Sequence, residues 1–394
     1  MVVATMGIFA AVMTGKGTGA IATIQLYGDS AADILKRIFT PQGPKPAEFS
    51  TGKILLGTIA ADNETIDQVT IGCEDNNTYA INCHGNPLIV ERLMQLLQQQ
   101  GVELLTAEQL LSKTSAENNT IAIEAKLTLP KAKTIQGTQI ILNQIDSGLT
   151  ASAKNWLQNQ PEKIAVEAQK ILGKSKIAKL IILGSRIVLA GPPNTGKSTL
   201  LNQLCGRQKA IVADTKGTTR DWVSANCQIG SLVLELIDTA GLDEKLASDI
   251  EKAAQQTAAE LIDKADIVLL VLDNSEPVNQ IGKSFTNILA NKKVLAVLNK
   301  SDLPFVAQRS GNLSCLFETG NMPNAVSISA KLGTGIDYLC DEIQRLAGIE
   351  NFDPNQPVCF TARQEQLLAQ LSTAKSKDAA HTLITELLSG PLNV

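Results

Sequence analysis

Short apolar runs bounded by Gly, Asn and Asp open the chain, and longer stretches with apolar residues every third or fourth position separate them. Runs at Ala20–Leu26, Ile54–Ile59, Gln68–Gly72 and Tyr79–Asn82 have strand length, and helical spacing at Ala31–Phe39 and Pro87–Gln100 places two helices between and after them. The apolar stretch Met1–Met13 has no basic residue before it and is broken by Gly7. It predicts a buried first strand in preference to a signal peptide. Residues 1–103 therefore read as a small α+β domain, with an exposed connection at Pro41–Pro46. From Thr106 to Gly173 the sequence turns rich in Gln, Lys and Ala, with Ile140, Ile141, Ile145 and Leu149 at helical spacing, which predicts a first helical segment over 104–184.

A different texture begins at Arg186. Continuous apolar runs at Ile187–Leu189, Leu232–Ile237, Ile267–Leu272, Val294–Leu298 and Ala325–Ile328 alternate with helical stretches. Such runs predict a parallel sheet covered on both faces, over residues 185–349. The tail, 350–394, returns to helical spacing and predicts a second helical segment.

Composition narrows the function. The 394 residues carry a net charge of −4 and only 3% aromatic side chains, which leaves little material for the stacking platforms that bind single-stranded nucleic acid. Cys73, Cys83, Cys205, Cys227, Cys315, Cys340 and Cys359 are scattered, with no Cys-x-x-Cys pair. A disulfide framework and a zinc site are not expected, and a reducing cytoplasm is. His84 and His381 are the only histidines. No run approaches the ~20 apolar residues of a membrane span.

Gly191-Pro-Pro-Asn-Thr-Gly-Lys-Ser198 matches G-x-x-x-x-G-K-[ST] and lies between a predicted strand and a predicted helix, where the motif has its mechanical meaning. Its glycines allow the tight wrap that turns backbone N–H groups, and the helix N-terminus, toward phosphates. Asn194, Thr195, Gly196, Lys197, Ser198 and Thr199 are thus candidate nucleotide contacts. Lys197 is placed to neutralise the β- and γ-phosphates, and Ser198 to offer its hydroxyl to Mg²⁺.

Three further motifs follow, each after the carboxyl end of a strand, where open α/β sheets bind ligands. In Asp238-Thr239-Ala240-Gly241, Asp238 is placed to hold Mg²⁺ through water, and the Gly241 amide to meet the γ-phosphate. Asn299, Lys300 and Asp302 form Asn-Lys-x-Asp, whose last carboxylate can accept two hydrogen bonds from guanine that adenine cannot offer. Ser329, Ala330 and Lys331 complete the order. GTP is the expected nucleotide.

Ala213–Asp221, with Thr215, Thr218 and Thr219, reads either as a switch loop whose threonine completes the Mg²⁺ shell or as a solvated surface loop. Its position between the first two motifs favours the switch. Leu242 cannot orient a water as a Gln could, so Glu251 is a candidate helper for hydrolysis; its alternative is a solvated helix carboxylate. Cys83 and His84 are adjacent on a strand and so point to opposite faces, which argues against a nucleophile–base pair.

With these motifs in place the chain resembles the MnmE (TrmE) tRNA-modification GTPases. Gly217-Thr-Thr-Arg-Asp221 and Asp238-Thr-Ala-Gly-Leu242 occur in several GTPase families, whereas Thr14-Gly-Lys-Gly-Thr-Gly-Ala20, Ile24-Gln-Leu-Tyr-Gly28 and Ile81-Asn-Cys-His-Gly-Asn-Pro87 resemble this family's N-terminal segments. The resemblance implies a homodimer through the N-terminal domain, a helical domain assembled from both flanks of the GTPase domain, and an FAD-dependent flavoprotein partner, MnmG. It also implies potassium-stimulated hydrolysis, with Asn194 as a potassium ligand, Ala213 to Thr218 as the potassium loop and Glu251 as the water-orienting residue. Lys216 is a departure that can crowd or replace that ion.

Other departures weigh against one-carbon folate. Gln25 stands where the family has an arginine, the segment before Ile81 runs directly from Glu74 to Thr78, and the chain ends at Leu392-Asn-Val394 where the family has Cys-Ile-Gly-Lys. Three functions follow as expectations. The first is GTP hydrolysis linked to wobble-uridine modification of tRNA. The second is a diverged GTPase switch without folate or tRNA chemistry, and the third is a non-hydrolysing scaffold, against which the intact motifs argue.

Overall fold

The computed structural model describes residues 7–15, 17–43, 46–61, 64–114, 119–207, 223–238, 259–276, 288–289, 292–304 and 325–391. Two compact units emerge, one from residues 1–127 with 388–394 and one from 128–387.

In the first unit seven strands form one sheet, in the order β3 (Phe39–Pro41), β4 (Ile54–Ala61), β5 (Glu64–Cys73), β6 (Thr78–His84), β2 (Ile21–Tyr27), β1 (Phe9–Val12), β7 (Glu103–Leu104). All neighbours are antiparallel except β1 and β7. Alternation decides the faces: Ile24, Leu26, Val69, Ile71, Tyr79 and Ile81 point into one core with Ile34 and Leu35 of α1 (Ala31–Ile38) and Leu93 and Leu97 of α2 (Pro87–Gln99). Helix α2 starts where it does because Asn86 accepts a hydrogen bond from the Leu88 amide and Pro87 takes the first helical position. Part of the predicted connection at 41–46 is strand, since Pro41 ends the edge strand β3, where a missing N–H costs no ladder bond.

The two glycine-bearing segments of this unit meet. Gly19 donates its amide to Gly85 O at 2.9 Å and Gly85 donates to Ala20 O at 3.2 Å; a Cβ on Gly85 would lie 2.4 Å from Gly19 O. Cys83 faces the core and donates to Ala22 O, and its thiol is pushed up first by burial and then by the charge of Asp67. His84 is exposed, with Nδ1 2.7 Å from Asp67 Oδ1, so the two side chains are separated as the alternation requires.

Two further helices, α3 (Ala107–Thr114) and α4 (Thr120–Thr128), follow in this unit up to residue 127, and a 3₁₀ turn at Leu129–Lys131 lies in the next. There α5 (Ile135–Asp146), α6 (Leu149–Trp156) and α7 (Pro161–Leu183) form a helical layer. The apolar run through Ile140, Ile141 and Leu149 therefore belongs to two helices, because Ser147 and Gly148 break the first. Along α7 the buried positions Ile164, Ala168, Ile171, Ser175, Ala178 and Ile182 recur at three- and four-residue spacing, which is why one face of a 23-residue helix packs throughout.

The segment after residue 349 returns to this layer. Gln144 Oε1 accepts from the Leu149 amide at 2.8 Å and from the Val358 amide at 3.0 Å, and Ser175 Oγ accepts from the Cys359 amide at 2.8 Å. Lys179 pairs with Glu365 of α10 (Ala362–Leu371), and α11 (Lys377–Ser389) follows.

Between these flanks lies a six-stranded sheet in the order β13 (Ala325–Ser327), β12 (Val294–Asn299), β11 (Ile267–Asp273), β8 (Ser185–Ala190), β10 (Leu232–Asp238), β9 (Val223–Ile229). All pairs are parallel except β9 with β10. The antiparallel edge departs from the all-parallel expectation: Ser224, Asn226 and Gln228 alternate with apolar residues, the pattern of a strand with one less-buried face rather than of a parallel strand covered on both. Central β11 is buried along its whole length. Helix α8 (Lys197–Arg207) follows β8, and α9 (Ile336–Ala347) follows β13.

Candidate nucleotide-binding site

All parallel strands of the second sheet end on the same side, and the motif residues gather there as a crest. Directly after β8 the chain turns through Gly191 at φ +142°, Asn194 at φ +62° and Gly196 at φ +91° before entering α8. Gly191 has no alternative, since a Cβ there would lie 2.1 Å from Val271 O. The loop closes on itself: Lys197 Nζ donates to Gly191 O at 2.7 Å and Pro192 O at 3.0 Å, and Thr195 Oγ1 donates to Pro192 O at 3.0 Å. Lys197 is 3% exposed, so its ammonium sits inside the loop, at the N-terminus of α8. Asn194 and Thr199 are exposed.

At the end of β10, Asp238 is also 3% exposed and its Oδ2 accepts from Ser198 Oγ at 2.5 Å. This is an all-oxygen pair beside a phosphate-type loop, and such a donor set suits a hard cation such as Mg²⁺.

Asn299, at the end of β12, is 2% exposed and joins two loops. Its Nδ2 donates to Thr195 O at 2.8 Å, and its Oδ1 accepts from the Ala330 amide at 2.9 Å. Gly196 leaves room for this link; a Cβ there would lie 2.3 Å from Asn299 Nδ2. Lys300 adopts φ +62° and its ammonium reaches Asp273 Oδ2 at 2.6 Å. Asp302 Oδ1 accepts from Ser329 Oγ at 2.6 Å. That hydroxyl, with the backbone and the charges of Lys331 and Lys300, holds the Asp302 carboxyl below its ordinary range against the pull of burial. A carboxylate kept ionised this way is an acceptor only, as recognition of two N–H donors requires. Lys331 is exposed and Ala330 buried.

The crest thus brings together Asn194 to Ser198, Asp238, Asn299 to Asp302 and Ser329 to Lys331. Thr215, Lys216, Thr218, Thr219, Thr239, Ala240, Gly241 and Glu251 lie outside the described residues. Asp273 was not singled out by the sequence, although an aspartate closing the apolar run Ile267–Leu272 was a usable signal.

Strand order, loop order and the pairing of Ser198 with Asp238 make this a P-loop GTPase, an enzyme that binds and hydrolyses GTP with Mg²⁺. The family described as 50S ribosome-binding GTPase matches residues 186–300, and the GTP-binding protein TrmE N-terminus matches residues 8–109. The chain belongs to the MnmE family.

The chain is similar to the tRNA modification GTPase MnmE of Lacticaseibacillus paracasei at 30% identity, over 94% of this chain and 87% of that protein. For the proteins of the same name from Ligilactobacillus salivarius and Thermotoga petrophila the identities are 29% and 28%. The matches span 89% and 92% of this chain and 83% and 87% of theirs. Among the described residues no helix is long and apolar enough to cross a membrane.

Proposed function

We propose that this GTPase, whose relatives are named tRNA modification GTPases, couples its nucleotide cycle to modification of the tRNA wobble uridine in the cytoplasm. The Asn299 link, which ties the phosphate loop to the loop of Ser329, supports the nucleotide half of the reading, and the match of residues 8–109 to the TrmE N-terminus supports the tRNA half. In this reading Lys197 and the amides of Asn194 to Thr199 hold the phosphates, Ser198, Asp238 and Thr219 hold Mg²⁺, and Asp302 reads guanine. Thr215, Thr218 and Thr239 to Gly241 form the switch loops, and Glu251 orients water. Potassium is held by Asn194 and the loop at 213–218, with Lys216 beside it. Residues 104–184 and 350–394 form one helical domain around a GTPase domain at 185–349, with 1–103 mediating a homodimer, and a flavoprotein of the MnmG type is the partner.

Folate is left out of the reading. The Gln25 amide donates to Glu74 Oε2 at 3.0 Å and carries no charge to pair with a folate carboxylate.

The test supplies the chain to a host that lacks its own relative. Modified wobble uridine in the tRNA nucleosides is the expected result. GTP turnover without modification would favour a diverged switch, and equal turnover in sodium and potassium would remove the potassium role.

A further inference from the structure

Asp273 closes the central strand β11 with its side chain 8% exposed, although neither the phosphate loop nor the base loop contains it. Its two oxygens are divided. Oδ1 accepts from the amide of Ser275 at 2.8 Å and from its hydroxyl at 2.7 Å, while Oδ2 accepts from Lys300 Nζ at 2.6 Å. The backbone joins the same two strand ends, since the Asn274 amide donates to Asn299 O at 2.7 Å.

Strand order gives this pair its meaning. β11 lies between β12, which leads to Asn299, Lys300 and Asp302, and β8, which leads to the phosphate loop. A nucleotide with its base at Asp302 and its phosphates at Lys197 has to cross the end of β11. Lys300 leaves β12 in a left-handed backbone conformation and extends to Asp273, so its four-carbon stem spans the same gap. Such a stem, with its charge tied at the far end, offers an apolar floor for a flat base or sugar. Untied, a lysine samples many rotamers, and ordering it on binding has an entropic cost. Burial alone would raise the Asp273 carboxyl, yet Lys300 and Ser275 hold it below its ordinary range, so the carboxylate stays ionised beside the Lys300 ammonium.

We propose that Asp273 is a positioning residue for the nucleoside half of the substrate, acting through Lys300, whose stem it fixes as the floor between base loop and phosphate loop. The inference rests on the nucleotide site assigned above. It concerns the nucleoside and leaves the phosphates to Lys197.

Four proteins test it: the unaltered chain, Asp273→Asn, Lys300→Met and the double variant. Asn keeps an acceptor for Ser275 but loses the charge-assisted bond, and Met keeps a stem without its tie. GDP affinity is measured by calorimetry, and the phosphate site is probed separately with inorganic tripolyphosphate. Asp273→Asn is expected to weaken GDP about tenfold, the cost of ordering an untied lysine stem on binding, while tripolyphosphate affinity stays. In turnover it should raise KM by a similar factor and move kcat by less than about twofold. In the Lys300→Met background, Asp273→Asn should add nothing further.

Unchanged GDP affinity in Asp273→Asn, an equal loss for tripolyphosphate, or additive effects of the two substitutions would each overturn the proposal. Failure of the unaltered chain to bind GDP would overturn the nucleotide site itself and the inference with it. A normal melting curve for Lys300→Met, together with weakened GDP binding, reaches the same pair without disturbing the bonds to Ser275.

Discussion

Ser198 Oγ lies 2.5 Å from Asp238 Oδ2, joining the first turn of α8 to the end of β10. The two residues are forty positions apart in sequence and come from different motifs, and their contact is where the phosphate loop meets the second motif. A serine hydroxyl has one donor and two lone pairs, so with Mg²⁺ bound Ser198 would offer a lone pair to the ion while still donating its proton to Asp238. The pair therefore sets up a direct expectation. Ser198→Ala removes an oxygen donor and leaves a buried carboxylate short of one partner, so Mg²⁺-dependent turnover should fall roughly 10- to 100-fold. Titrating MgCl₂ at fixed GTP checks this, and a Mg²⁺ dependence like that of the unaltered chain would refute it.

Acid sensitivity follows from Ser329. Asp302 has an ordinary value near 3.8 and is held lower, chiefly by the Ser329 hydroxyl. Its contribution to guanine binding is complete above that ordinary value and disappears as pH falls through the lowered one. Ser329→Ala removes the largest lowering influence, so the acid limit of GDP binding should move to higher pH. Binding measured over an acid pH series decides it, and an acid limit that stays in place would count against the role given to Ser329.

Gly196→Ala tests the tie between loops. The added methyl would meet Asn299 Nδ2 and the residue would be strained at φ +91°. Breaking the Asn299 link should weaken GDP binding roughly a hundredfold, from backbone strain plus a lost buried hydrogen bond. Asn299→Ala should reproduce much of that loss without the strain. Calorimetry on both variants checks the expectation, and full-strength binding in either one would contradict it.

Gln144 is wholly buried and accepts from the amides of both Leu149 and Val358. Gln144→Leu preserves approximate size but leaves two backbone donors without their acceptor, and should cost about 2–4 kcal/mol. Urea unfolding followed by helix content measures it; a change under about 1 kcal/mol would mean the segment at 356–361 is held by other contacts.

Strands β1, β2, β4, β5 and β6 and helices α1 and α2 were legible because apolar runs and helical spacing are local properties, whereas the short β3 and β7 carry too few residues to show a pattern. β9 was missed because it carries no continuous apolar run, and its place at the edge is fixed only by its antiparallel pairing with β10. The break between α5 and α6 was missed because Ser147 and Gly148 are weak stops beside a continuing apolar pattern.

By itself, the sequence determined the chemistry in hand: a loop rich in glycine before Lys197 and Ser198, the carboxylates of Asp238 and Asp302 after two later strands, and an order of motifs that fits a GTPase. These are matters of residue type and spacing, and a linear chain carries them completely. Tertiary structure alone decided the pairings. Parallel strands bring their carboxyl ends to one crest whatever their separation in the chain, so Asp273 becomes the partner of Lys300, Asn299 the link between Thr195 and Ala330, and Gln144 the acceptor for an amide 214 residues away. Burial then makes each of those contacts costly to lose, which no local pattern can express.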